Sequence, residues 1–242
     1  MIYARFIQQI LGFLGSALSY TQQALDLLES TLSHSSPLEH FGAITAAITG
    51  VLAARSKKID VFGILVLGFV TAVGGGSIRD LCLDTRMWWI DAPSFTIAIL
   101  ITCLITFFLA RLTRLQHRKL LDIADAFAMA LFTALGTWKA LKFGTDYVNS
   151  IMMGVITGVA GGIIRDVLLG TIPNVLRPGI YLYATASVCG SVVFVCFDAF
   201  GIPYKWTVSI CIILALRLSA IHWKLSLPEY YDTDEISPQN PS

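Results

Sequence analysis

The sequence has little charge for its length. Only 14% of its 242 residues are charged, whereas 55% are hydrophobic. Soluble domains carry roughly 25% charged residues, so too few charges remain to cover a water-facing surface of this size. This scarcity excludes a soluble enzyme, a secreted disulfide scaffold and a disordered protein. Basic clusters are short and flank apolar runs, so nothing indicates a nucleic-acid partner.

Spacings typical of catalytic and metal sites are also missing. The cysteines lie within apolar stretches without the paired spacing of a zinc or redox motif, and the histidines are scattered near the ends of those stretches. No nucleophile is accompanied by a base, and no phosphate-binding loop is present. We therefore expect no catalytic residue, no bound metal and no cofactor. These residues are Cys82, Cys103, Cys189, Cys196, Cys211, His34, His40, His117 and His222.

Long hydrophobic runs are abundant. A transmembrane helix needs about 20 mostly apolar residues to cross a hydrocarbon core roughly 30 Å thick. Seven segments of this kind predict an all-α integral membrane protein with seven transmembrane helices. They lie near residues 38–55, 61–83, 94–110, 122–142, 148–170, 180–200 and 204–222.

The two ends of the chain differ from this pattern. Residues 1–37 contain an apolar run broken by Gln8 and Gln9, which favours an amphipathic helix lying on the membrane. A signal peptide or an additional span remains an alternative. Residues 225–242 are polar and acidic with three prolines, so we expect a disordered tail.

Basic residues in the connections predict the orientation. The connections after spans 1, 3, 5 and 7 contain ten lysines and arginines, Arg217 among them, and the opposite side contains five, Lys139 among them. Cytoplasmic loops carry the excess of Lys and Arg. We therefore expect the N-terminus outside and the C-terminus in the cytoplasm.

An internal repeat appears at an offset of 86 residues. It pairs Phe41 with Phe127 and Asp60 with Asp146, and about a dozen identities fall within 46 ungapped positions. Because the unit of three spans is odd, the second copy must enter the membrane from the opposite side. This predicts an inverted repeat, an architecture that many transporters share. Its parts are residues 38–120 and 121–201, followed by a seventh helix at 202–224.

Glycines cluster at corresponding positions of spans 2 and 5. Each glycine costs up to about 1 kcal/mol in a helix relative to alanine, and clustered glycines permit a break or kink whose freed backbone groups face protein or water. Close helix packing through small residues is the alternative. The symmetry of the two clusters favours the broken helix. They comprise Gly74, Gly75, Gly76, Gly161 and Gly162.

An Arg-Asp pair follows each glycine cluster: Arg79 with Asp80, and Arg165 with Asp166. Charges inside spans are costly and usually face the bundle interior or a cavity. Sequence neighbours point about 100° apart on a helix, so we expect that each pair does not neutralise itself. Arg79 is instead expected to reach a carbonyl or an acid on another helix, in the other repeat. An arginine that snorkels to the interface is the alternative.

Three further charged residues are candidates. Glu39 and Asp125 correspond by the same offset and begin the first span of each repeat, where they could line a cation entrance or cap the helix N-terminus. Lys139 has no basic counterpart, because its repeat partner is Ala53. It could repel or replace a cation in a pore, or snorkel outward.

Together these motifs resemble the prokaryotic trimeric intracellular cation (TRIC) channel family. The similar stretches include the paired Gly-Gly-Gly-x-x-Arg-Asp motifs, residues 165–173 and residues 89–93. The resemblance runs from about residue 38 to 222. Ala160 departs from it, where the motif would have glycine.

The resemblance implies a homotrimer in a bacterial inner membrane, surrounded by lipid that could also be bound. Each protomer would have its own pore for monovalent cations, chiefly potassium, shaped by glycine kinks in spans 2 and 5. Arg79 and Arg165 would be pore or gating residues. The same family has been associated with glycine transport, so a secondary transporter of a small amino acid is the alternative.

Overall fold

Seven α-helices form the part of the chain that the computed structural model describes. Apart from the isolated Gln23, this part comprises residues 35–55, 57–112, 117–177 and 183–224. The predicted N-terminal membrane-surface helix and C-terminal tail lie outside the described residues. The first described helix begins at Ser35, within the last few residues of the predicted N-terminal segment. The helices are α1 (Ser35–Ala54), α2 (Val61–Cys82), α3 (Pro93–Leu112), α4 (His117–Lys142), α5 (Tyr147–Leu168), α6 (Tyr183–Ala199) and α7 (Lys205–Trp223).

Six of these helices are long and apolar enough to cross a membrane. The exception is α6, which is apolar but only 17 residues long. All seven begin and end within a few residues of the predicted spans, and the described residues contain no strand. The prediction of an all-α, seven-helix membrane protein is confirmed.

The two repeats share local structure as well as sequence. Asp60 accepts a hydrogen bond from the backbone N–H of Gly63 and caps α2, and Asp146 accepts one from Asn149 and caps α5. The latter bond holds the pKa of the Asp146 carboxyl below its ordinary value. Each cap satisfies a backbone donor at the helix start, so corresponding residues begin corresponding helices.

The copies are inverted relative to each other. The Nζ of Lys139, near the end of α4, lies 2.8 Å from the Oδ1 of Asp80, near the end of α2. The C-termini of α2 and α4 therefore lie on the same side of the bundle. Because a short connection makes α1 antiparallel to α2, the C-terminus of α1 lies on the opposite side from that of α4. The two ends of the bundle are named the Arg79 end, where α2 and α4 finish, and the Arg165 end, where α1 and α5 finish.

The glycine clusters do not interrupt their helices. Both α2 and α5 are continuous through Gly74–Gly76 and Gly161–Gly162. The predicted break is therefore wrong, and the alternative of close packing explains the glycines, since these positions are buried or half-buried between helices. The kink that the family resemblance implies stays a prediction.

Candidate functional site

The site is organised around the crossing of α2 and α5. A Cβ atom added at Gly75 would overlap the carbonyl oxygen of Thr157, and one added at Gly161 would lie 2.5 Å from the carbonyl oxygen of Thr71. These two contacts are equivalent under the 86-residue repeat. The local two-fold relationship between the repeats therefore passes through this crossing, and only glycine permits the approach.

A small cavity adjoins the crossing. It has a volume of about 20 Å³, enough for roughly one water molecule. Thr49, Thr71 and Thr157 line it, and each hydroxyl donates its proton to a carbonyl of its own helix. A hydroxyl with its proton engaged offers only lone pairs to a further partner. The cavity therefore presents hydrogen-bond acceptors.

Asp125 adds a carboxylate to the same cavity. Its side chain is buried, and its Oδ1 accepts a hydrogen bond of 2.9 Å from Arg165 Nη1. Its Oδ2 has no hydrogen-bond partner among the described residues. The Oδ2 lies 3.8 Å from Arg217 Nη2, so the cavity combines three hydroxyl oxygens with a carboxylate that has arginines beside both of its oxygens.

At the Arg79 end, one helical turn beyond Gly75, a buried ion cluster lies beside the crossing. The Nε of Arg79 donates to Asp80 Oδ1 at 2.7 Å, and Lys139 Nζ donates to the same oxygen at 2.8 Å. Arg79 and Asp80 are 1% and 0% exposed. The carboxylate of Asp80 thus joins two cations from different repeats.

At the Arg165 end, one turn beyond Gly161, a second buried cluster is built from equivalent residues. Arg165 Nε donates to Asp166 Oδ1 at 2.9 Å, and its Nη1 donates to Asp125. Arg217 of α7 places its Nη2 3.8 Å from Asp125 Oδ2, and its guanidinium lies 4.5 Å from the ring centre of Tyr183. The crossing therefore has an ion cluster on each side.

The acid of each motif also anchors the loop that follows. Asp80 Oδ2 accepts the backbone N–H of Trp88 at 3.0 Å, and Asp166 Oδ2 accepts that of Asn174 at 2.9 Å. Trp88 and Asn174 correspond under the repeat. The aspartate of each Arg-Asp pair therefore binds its arginine through Oδ1 and the backbone of the following loop through Oδ2.

The side-chain pairing within each motif corrects one prediction. Arg79 and Arg165 both pair with the aspartate next in sequence, although adjacent residues point about 100° apart. The long arginine side chain spans that angle through its Nε. The second part of the prediction is wrong for Arg79, which among the described residues pairs with an acid of its own helix. Arg165, by contrast, also reaches Asp125 on another helix. Neither arginine snorkels, since both are buried.

The positions of Glu39 and Asp125 exclude the capping alternative. They are the fifth residue of α1 and the ninth of α4, whereas capping and dipole effects act within the first turn. Glu39 is half-buried and forms no ion pair with the described residues, unlike its repeat counterpart Asp125. The two acids are therefore not equivalent in their contacts.

Two basic residues were misjudged from the sequence. Arg217 was counted among the loop residues, yet it is 3% exposed beside Asp125. Lys139 was counted on the outer side, yet it lies within the Arg79-end cluster rather than snorkelling outward. Without them the bias in basic residues is nine to four, in the same direction. Arg217 lies several residues inside the last apolar run, and this position in the sequence already indicates a buried side chain.

A family model described as glycine transporter matches residues 37–111 and 122–199, more than half of the chain. The chain belongs to the glycine transporter family. Among curated relatives of this glycine transporter family protein, the UPF0126 inner membrane protein YadS of Escherichia coli (strain K12) is 40% identical over 197 residues. That match covers 80% of this chain and 94% of the relative.

Solved structures confirm the resemblance of this glycine transporter family member to TRIC channels. The TRIC trimeric intracellular cation channel orthologue from Rhodobacter sphaeroides is 36% identical, with a TM-score of 0.74 over 79% of this chain and 98% of that one. A second structure, described as a basis for conductance through TRIC cation channels, is 33% identical with a TM-score of 0.74, covering 81% and 97%. A Caenorhabditis elegans TRIC channel at 16% identity and a TM-score of 0.55 shares the fold.

Proposed function

We propose that this protein is a homotrimeric channel for monovalent cations, chiefly potassium, with one pore in each protomer. The observation that carries the proposal is the acceptor-lined cavity at the crossing of α2 and α5. Thr49, Thr71, Thr157 and Asp125 offer oxygen atoms there, and hard monovalent cations are coordinated by oxygen. Similarity to TRIC channels at 36% and 33% identity supports the same function.

The two ion clusters would act as gates. A hydrated potassium ion does not fit a cavity of about 20 Å³, so conduction requires side chains or helices to move. Arg79 and Arg165 lie one turn from the crossing on either side, and each pairs with carboxylates that face the passage or its ends. Rearranging these pairs would open the pore, while Gly74–Gly76 and Gly161–Gly162 let the helices bend.

Glu39 would serve as the cation entrance at the Arg79 end. Its carboxylate is half-buried and not paired with a described cation, so it can concentrate cations beside the cluster. Asp125, its counterpart, would instead bind the ion inside the passage. With the C-terminus in the cytoplasm, the Arg79 end faces outward and ions would pass Glu39 before Asp125.

Planar-bilayer recording of the purified protein tests the proposal. A channel gives discrete unitary current steps in potassium without a coupled solute. Absence of steps together with saturable glycine uptake by proteoliposomes would overturn the proposal in favour of a transporter. Asp125→Asn should reduce the unitary potassium current, whereas Asp146→Asn, on the exposed cap of α5, should leave it unchanged.

Assembly and orientation have separate tests. Native mass spectrometry in detergent should show trimers, and monomers alone would contradict the assembly. A C-terminal reporter that is active only in the periplasm should stay inactive, because the basic bias places this end in the cytoplasm. Activity there would reverse the orientation.

A further inference from the structure

A groove at the Arg165 end lies outside the pore cavity and has no part in the proposed conduction. It is formed where α1 ends, α2 begins and α3 ends, and its volume is about 260 Å³. Its walls are apolar and its rim is basic. The apolar residues are Val51, Ile59, Ile64 and Phe107, and the basic residues are Arg55, Lys57 and Arg111.

The described lining of this groove carries only positive charge. All three basic side chains belong to exposed residues, and the described lining contains no acidic side chain. Arg55 Nη1 donates to the carbonyl oxygen of Ala110 at 2.7 Å, so this guanidinium is held across the groove from α1 to α3. The rim therefore has a fixed cation with two more cations around it.

The inverted repeat offers an internal comparison. At the corresponding corner of the second copy, Leu141 replaces Arg55 and Phe143 replaces Lys57, and a single lysine, Lys142, stands between them. The helix corner is built in both copies, so its fold does not require cations. The first corner has three basic residues where the second has Lys142 alone, so the groove is the more cationic of the two corners.

We propose that this groove binds one anionic phospholipid. The phosphate would lie between Lys57, Arg111 and Arg55, and an acyl chain would lie along Phe107 and Ile64. Basic pockets between transmembrane helices on the cytoplasmic side bind acidic lipid headgroups. This step rests on the proposed orientation, in which this end faces the cytoplasm, where the leaflet is negatively charged.

Lipid retention tests the proposal. The full-length protein in detergent is mixed with phosphatidylglycerol or with phosphatidylcholine of the same acyl chains, and bound lipid is counted by native mass spectrometry. The parent should retain phosphatidylglycerol in preference. Lys57→Gln/Arg111→Gln should weaken that binding roughly 25-fold, since each of the two basic residues near an acidic lipid accounts for about fivefold.

A matched control separates the groove from general surface charge. Lys58→Gln/Lys119→Gln makes the same change in charge with exposed residues that line neither this groove nor the pore cavity. This variant should retain phosphatidylglycerol like the parent. Equal loss in both variants, or no preference in the parent, would overturn the proposal.

Two further measurements complete the test. Unfolding temperatures without lipid should match among the variants, because the substituted side chains are exposed. Glycerol phosphate at a concentration equal to that of the lipid should not displace it, since the headgroup alone lacks contact with Phe107. Displacement by glycerol phosphate would show a soluble-anion site instead. A failed channel recording leaves all these outcomes unaffected, because none depends on conduction.

Discussion

Lys139 and Asp80 form an ion pair of 2.8 Å that joins α4 of the second repeat to α2 of the first. No equivalent ion pair can form between α1 of the first repeat and α5 of the second, because Ala53 occupies the position that corresponds to Lys139. The Arg165 end uses Arg217 of α7 instead, from outside the repeat. The two clusters are thus built on a symmetric framework but completed by different cations.

Replacing Lys139 tests the link between repeats. Lys139→Ala removes one of two cations from a fully buried Asp80, so we expect a loss of about 1–3 kcal/mol in the free energy of unfolding. We also expect more frequent opening in bilayer recordings, because the two halves separate more easily. Lys142→Ala removes an exposed lysine from the same helix together with its contact over the Trp138 ring, so it should cost no more than about 1 kcal/mol and leave opening unchanged. Equal effects of the two variants would contradict a role for the pair.

The two buried arginines should be costly to remove. Arg79→Ala and Arg165→Ala each leave carboxylates buried without their main partner, which typically costs about 3–5 kcal/mol. Arg165 has two carboxylate partners and Arg79 one, so the loss should be greater for Arg165. Thermal unfolding in detergent measures both.

Arg111→Ala is the control for these variants, since Arg111 is exposed near the end of α3. Its effect on stability should stay within about 0.5 kcal/mol. Conduction and gating like those of the parent in Arg79→Ala and Arg165→Ala would remove their assigned role. Parent-like stability in either would contradict the ion pairs themselves.

Alanine at the crossing distinguishes close packing from a helix break. Gly75→Ala and Gly161→Ala would gain up to about 1 kcal/mol of helix propensity but force a Cβ into the facing backbone. Overpacking typically costs about 1–3 kcal/mol. We therefore expect net destabilisation and smaller unitary currents.

Gly42→Ala is the milder comparison at a helix contact. Its Cβ would meet only the ring of Phe132, at 3.2 Å, and a ring can shift where backbone cannot. Its destabilisation should be smaller than that of either crossing variant. Stabilisation by Gly75→Ala or Gly161→Ala would mean that the helices are not packed at these glycines.

The sequence was sufficient for the helices, their inversion and the residues beside the crossing. Hydrophobic length determines a span almost alone, and Arg79 and Arg165 stand out because a charge is rare there. Asp125 was identified as a candidate because the 86-residue offset pairs it with Glu39. These features depend on position along the chain, which periodicity and offset describe directly.

Side-chain partners were not accessible in the same way. The pairing of Arg79 with Asp80 depends on how a flexible side chain bends, and the pairing of Lys139 with Asp80 depends on the packing of α4 against α2. For the same reason, the sequence could not predict that α2 and α5 continue through their glycine clusters. Whether clustered glycines break a helix or admit a neighbour is decided by what lies opposite, here Thr71 and Thr157.

Arg217 provides the last test, because the sequence assigns it to the connections and the structure places it beside Asp125. Arg217→Ala removes a guanidinium that lies over the Tyr183 ring and close to a buried carboxylate. We expect a loss of about 1–3 kcal/mol, less than for Arg165→Ala, because Arg165 still pairs with Asp125. Arg217→Lys should fall between the parent and Arg217→Ala, since lysine keeps the charge but not the flat group that stacks on an aromatic ring. Thermal unfolding in detergent ranks the three proteins, and bilayer recordings should show altered gating in the same order. Behaviour of Arg217→Ala like that of Arg111→Ala would return Arg217 to the surface and leave Arg165 as the sole cation that acts on Asp125.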